Sequence, residues 1–172
     1  PEADVAFEDL QDPYGIEFWP EFKGRDGCRT PMVWERTNHN GGFSDATQTW
    51  LPVAHEHLSL SVAQSEDEPG ALLHHYRRAI AFRHAHTALR QGTQEGMRVK
   101  GDCLIFTRAI GAQDDHAGEE IYCAFNLSEE PATLAAPEGT WRAIGSELNS
   151  ASPMEDGKIH LGPWQPCLML KE

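Results

Sequence analysis

Eight of the chain's fifteen aromatic residues, Phe7, Tyr14, Phe18, Trp19, Phe22, Trp34, Phe43 and Trp50, fall within its first 53 positions. Neither a 3.6-residue nor a two-residue period runs through that stretch, so no single helix or strand gathers these rings onto one face. A long irregular segment so rich in apolar rings is unusual inside a free-standing small domain and is expected to fold onto something larger. Its one local helix signal is Asp12-Pro13, which predicts a short helix ending by Pro20, with Asp12 as cap and Pro13 in the first turn.

At the centre of the segment, residues 24–34 read G-R-D-G-C-R-T-P-M-V-W. Gly24, Gly27 and Pro31 punctuate it as irregular backbone. Arg25 and Arg29 flank Asp26, and a guanidinium offers five donors in a rigid plane, suited to carboxylates, phosphates or the vicinal hydroxyls of a sugar. Trp34 adds an apolar face on which a sugar ring can lie. The alternative is structural: Arg25 and Asp26 form an ion pair that pins a long loop.

The pattern changes further along. S-E-D-E-P-G from Ser65 reads as a capping-box start with a proline in the first turn. Leu72, Leu73, Tyr76, Ala79, Ile80 and Arg83 then recur at helical spacing, with Arg77 and Arg78 turned toward solvent or acidic partners. A second short helix over 87–90 stops at Gly92, where a C-terminal cap belongs. Beyond it, alternation predicts strands at 97–99, 103–110, 120–127, 131–135, 140–144, 158–161 and 167–171, separated by Gly, Pro, Asn, Asp and Ser. Short strands at this spacing predict an antiparallel sandwich. The break between the two kinds of sequence falls near residue 95.

A net charge of -13 argues against nucleic acid or an anionic membrane as partner, and allows a neutral substrate. No apolar run approaches the roughly 20 residues of a membrane span, and the start, P-E-A-D-V-A-F-E-D-L, is acidic where a signal peptide is basic. The entry at Pro1 without an initiator methionine is compatible with a missing upstream part. Cys28, Cys103, Cys123 and Cys167 form no C-x-x-C pair, and scattered thiols fit a reducing, cytoplasmic compartment, with a single disulfide left open. The histidines at 55 and 57, 74 and 75, and 84 and 86 do not make a metal set, because adjacent helical residues point in different directions. Asp114-Asp115-His116 with Glu119-Glu120 lacks the alternating oxygens and central glycine of an EF-hand and reads as a solvated hairpin. No metal or cofactor is expected.

The stretch at 24–34, preceded by D-P-Y-G-I-E-F-W-P at 12–20 and followed by G-G-F-S-D-A-T-Q-T-W-L-P-V at 41–53, resembles the final third of α-glucosidases of the α-amylase superfamily, the group that includes oligo-1,6-glucosidase. R-D-x-x-R-T-P-M-x-W and G-F-S followed by W-L-P-V occur in the same order in that family. The likeness continues through Y-R-R-A-I-A-F-R-H-A-H-T-A-L-R-Q-G at 76–92. It implies α/β plus all-β architecture: residues 1–95 as the tail of a (β/α)8 barrel, made of the loop after strand eight and the last helix, and residues 96–172 as a C-terminal β-sandwich. Substrate sites of such barrels are built from the loops at the C-terminal ends of the strands.

The resemblance also implies a retaining, exo-acting glycoside hydrolase or transferase that takes terminal α-glucosyl groups from small malto-oligosaccharides. Its partners are then the oligosaccharide and the remainder of the barrel. Such chemistry uses two carboxylic acids, which the family carries in D-G-F-R-x-D and a later glutamate, with a third acid in N-H-D; none of these motifs occurs here. Asn38-His39-Asn40 ends in an amide and reads as a turn. Glu2, Asp4, Glu8, Asp9 and Asp12 read as a solvated acidic chain end. In the family, the arginine at the position of Arg29 reaches the terminal glucose and pairs with an upstream aspartate to grip the 4-hydroxyl. Arg25 is the weaker candidate, since Asp26 satisfies it locally. The alternative function is a non-catalytic carbohydrate-binding or interaction β domain with an aromatic N-terminal arm.

Overall fold

The computed structural model describes residues 2–112, 117–151 and 157–172. The segment at Asp114-Asp115-His116, read as a solvated hairpin, lies outside them. The chain divides into two compact units, Pro1–His74 and His75–Glu172.

The first unit is irregular backbone stitched by short helical turns. Helix α1 spans Pro13–Glu17, with the Asp12 side chain accepting from the Tyr14 N–H and Pro13 in the first turn, as Asp-Pro predicts. Its small core is Val5, Leu10 and Leu51, with Trp19 packed against them. Close approaches at Gly27 and Gly24 require glycine. A Cβ at Gly27 would lie 2.2 Å from the Ala3 carbonyl oxygen, and one at Gly24, whose φ is +72°, 2.9 Å from the Asp12 Cβ. The Asn38-His39-Asn40 segment is a turn, with Asn40 at φ 50° and its amide donating to the Ala46 carbonyl at 2.7 Å.

The capping-box reading at Ser65 is not what forms. Ser65 lies inside helix α2, Val62–Asp67, whose cap is Ser61, its hydroxyl accepting from the Gln64 N–H. Ser61 is fully buried, and a buried hydroxyl takes the cap that satisfies it.

Helix α3, Leu72–Ala85, follows, and the division between the units falls within it. Its expected apolar stripe is largely uncovered: Leu72, Tyr76 and Ile80 are exposed, and Phe82 is its buried residue. Helix α4, Thr87–Gln91, ends at Gly92.

The rest of the second unit is antiparallel. Strands β1 (Thr93–Lys100), β2 (Cys103–Ile110), β3 (Glu119–Asn126), β4 (Ala132–Ala135), β5 (Trp141–Ile144), β6 (Lys158–Leu161) and β7 (Pro166–Lys171) form a five-stranded sheet ordered β1-β2-β3-β7-β5 and a two-stranded sheet of β4 and β6. Alternation sorts their side chains. Ile105, Tyr122, Ala124, Cys167 and Met169 pack with Leu134, Ile159 and Leu161 of the smaller sheet. On the opposite face Ile121, Cys123 and Leu168 pack with Phe82 and Ala88 of the helices. All four cysteines are free thiols.

Candidate substrate-binding cluster

Four charged side chains of the first unit converge. Asp12 is 2% exposed and Asp26 is fully buried, so the reading of Asp12 as a solvated acid is wrong. The reason is its double duty. One Asp12 oxygen, Oδ1, caps α1 through the Tyr14 N–H at 3.1 Å. The other, Oδ2, accepts the Arg25 backbone N–H at 3.0 Å and the Arg25 Nε–H at 3.3 Å. Burial alone would raise the Asp12 carboxyl, but the Arg25 and Tyr14 backbone donors and the Arg25 guanidinium outweigh it. The pKa lies below the ordinary value.

The proposed local pin between Arg25 and Asp26 does not form; Arg25 reaches back to Asp12 instead. Asp26 opens a single helical turn, Asp26–Cys28, and its Oδ2 accepts the backbone N–H groups of Gln11 at 2.6 Å and Asp12 at 2.7 Å. That carboxylate therefore ties the turn to the entry of α1.

Arg29 follows directly. Its Nη1 stands 3.7 Å from Asp12 Oδ2 and 3.9 Å from Asp26 Oδ1, near enough for attraction and too far for a hydrogen bond. Its side chain is 38% exposed, against 65% for Arg25. Both sequence candidates are thus in one cluster, beside two buried carboxylates expected only as a helix cap, Asp12, and a local pin, Asp26. The signal existed in part: Asp12 as a cap was legible, its burial was not.

The same unit carries an open cavity of about 620 Å³ lined by Asp9, Gln11, Arg36, Asn38, Gln48 and Trp50 among others. Gln11 borders this cavity and donates its backbone N–H to Asp26. Amides, charged groups and an exposed indole suit a polyhydroxylated ligand. Among the described residues no cluster of three or more His, Cys, Asp or Glu side chains is placed to hold a metal ion, and no helix is long and apolar enough to cross a membrane.

The α-amylase catalytic-domain family model matches residues 2–92: the chain belongs to the α-amylase family. It is 52% identical to a probable alpha-glucosidase of Rhizobium meliloti over 79% of its own length and 23% of that relative's. An oligo-1,6-glucosidase of Heyndrickxia coagulans is 30% identical over 71% of the chain and 21% of that relative. Among solved structures, an alpha-glucosyl transfer enzyme, XgtA, superposes with a TM-score of 0.82 at 40% identity, covering 99% of this chain and 30% of XgtA. The chain thus spans less than a quarter of the length of these two relatives.

Proposed function

We propose that the chain is the C-terminal portion of a retaining, exo-acting α-glucosidase or α-glucosyl transferase acting on small malto-oligosaccharides. Its share of the work is to bind substrate, while the catalytic acids lie upstream. The observation that carries the reading is Arg29: on R-D-x-x-R-T-P-M, its guanidinium stands beside two buried carboxylates and makes no hydrogen bond of its own among the described residues. Its fork is left for a substrate hydroxyl. Arg25, bonded to Asp12 through both its backbone and its Nε, supports the cluster and is the lesser contact.

Residues 1–95 are then the end of the (β/α)8 barrel and residues 96–172 its C-terminal β-sandwich. The exposed rings of Tyr14, Phe18, Phe22, Trp34, Phe43 and Trp50 support this, because apolar surface of that extent calls for a covering partner. The net charge of -13 fits a neutral oligosaccharide in place of nucleic acid, and the free thiols fit a cytoplasmic setting. No metal or cofactor enters the proposal.

Arg29→Ala in the full-length enzyme tests it. The expected loss in transition-state stabilisation is on the order of 2 to 4 kcal/mol, roughly thirtyfold to a thousandfold in kcat/KM of the folded variant, with Tm lowered as well because Arg29 is the cation beside the buried Asp26 and Asp12. Arg29→Lys is expected not to restore activity, since a point charge lacks the fork. A kcat/KM within about threefold of wild type for Arg29→Ala would remove Arg29 from the site.

A further inference from the structure

Asp26 has no exposed surface, and its two oxygens are used unequally. Oδ2 takes two backbone donors at 2.6 and 2.7 Å; Oδ1 is buried and has no hydrogen-bond partner. A buried carboxylate with one oxygen saturated and the other bare is costly unless a cation stands by to compensate it. The cation is Arg29, whose Nη1 lies 3.9 Å from that bare oxygen. Asp26 is held where it stands by the two backbone N–H groups on Oδ2, and the next residue, Gly27, sits where a Cβ would meet the Ala3 carbonyl oxygen.

We propose that Asp26 is the positioning residue for Arg29: a fixed carboxylate whose bare oxygen sets the direction of the guanidinium fork toward the terminal sugar. This rests on the reading of Arg29 as the substrate contact. A half-exposed arginine on irregular backbone has many rotamers, and each one frozen before substrate arrives lowers the ordering cost of binding. Asp12, 3.7 Å from the same nitrogen, shares the charge. Its Oδ2 already accepts two bonds from Arg25, so the unoccupied acceptor belongs to Asp26.

Asp26→Asn separates positioning from folding. The amide oxygen can keep the two backbone N–H bonds, and the amide NH2 then faces Arg29, replacing an acceptor with a donor. In the full-length enzyme kcat/KM toward maltose should fall by about tenfold to a hundredfold, as displacing a substrate contact by an ångström does. Tm should stay near wild type. Asp26→Asn combined with Arg29→Ala should be no worse than Arg29→Ala alone, since both changes remove one function. Wild-type kcat/KM in Asp26→Asn, or a double variant whose losses multiply, overturns the positioning role.

If Asp26→Asn does not fold, the wild-type enzyme crystallised with a glucose-shaped iminosugar inhibitor gives the answer. Arg29 Nη1 is expected within about 3.2 Å of Asp26 Oδ1 with another guanidinium nitrogen on a ligand hydroxyl. An Arg29 that touches the ligand but turns away from Asp26 sinks this inference and leaves the proposed function standing. An Arg29 that touches no ligand sinks the proposed function itself.

Discussion

The Asp12 carboxylate accepts both the backbone N–H of Arg25, at 3.0 Å, and its Nε–H, at 3.3 Å, so a residue thirteen positions upstream closes the loop that the neighbouring Asp26 was expected to pin. The carboxyl of Asp12 is held below its ordinary pKa, and a group whose folded pKa is depressed stabilises fully above its unfolded value. That contribution is lost as pH falls through the folded value. Thermal melting of wild type and Asp12→Asn is therefore expected to differ most near neutrality, with the variant lower, and to converge in strong acid. A difference independent of pH would mean that Asp12 acts only as a helix cap.

Gly24 lets that closure happen. At φ +72° any residue with a Cβ is strained by about 1–2 kcal/mol, and here the Cβ would also press on the Asp12 Cβ at 2.9 Å. Gly24→Ala is expected to lower stability by at least that much in chemical denaturation. It should also reduce kcat/KM, because the displaced neighbour is the anchor of the arginine cluster. Unchanged activity in a folded Gly24→Ala enzyme would uncouple the loop from the site.

The second unit was largely legible in the sequence and the cluster only half so, for reasons visible in particular residues. Alternation marked β2 through β7 to within a residue at either end. Strand β1 was seen only as 97–99, because the register slips between Glu95 and Arg98 and Gly96, at φ +57°, interrupts the two-residue period. The arginines were legible as chemistry without periodicity. The burial of Asp12 and Asp26 was not, since it comes from contacts across 13 to 15 positions that no local pattern records. Helix α2 was hidden by a decoy: Ser65 looked like a cap, and the working cap was four residues earlier.

The thiols should behave unequally. Desolvation pushes Cys123 up to about 12, with Arg108 opposing and Cys167 adding to it, and Cys167 up to about 11. Burial also raises Cys103, whereas Cys28 is exposed. Since the thiolate is the nucleophile, a disulfide reagent at mild pH is expected to titrate one thiol rapidly in the native chain and all four in denaturant. Rapid reaction at Cys123 or Cys167 in the native state would contradict the packed sheet.

Glu119, at the start of β3, places Oε1 2.6 Å from the His86 ring Nδ1 and accepts the Ala88 N–H on Oε2 at 2.7 Å. It thus caps α4 from a strand 31 positions away. Phe82 and Ala88 close one face of the five-stranded sheet over Ile121, Cys123 and Leu168. The sheet therefore depends on helices that lie before the change of pattern at residue 95. Removing Phe82 alone forfeits about 1.5–3 kcal/mol of burial, and removing the carboxylate's partners strands a charge only 17% exposed. A protein of residues 75–172 is expected to unfold cooperatively and at higher temperature than one of residues 96–172, which also loses the first three residues of β1. In the longer protein, Glu119→Ala should cost about 1–2 kcal/mol as a lost cap; in the shorter one it should cost almost nothing, because neither His86 nor Ala88 is present. Equal melting temperatures for the two proteins would show that the β-strands form their own core without the helices, and would put the working boundary at residue 95.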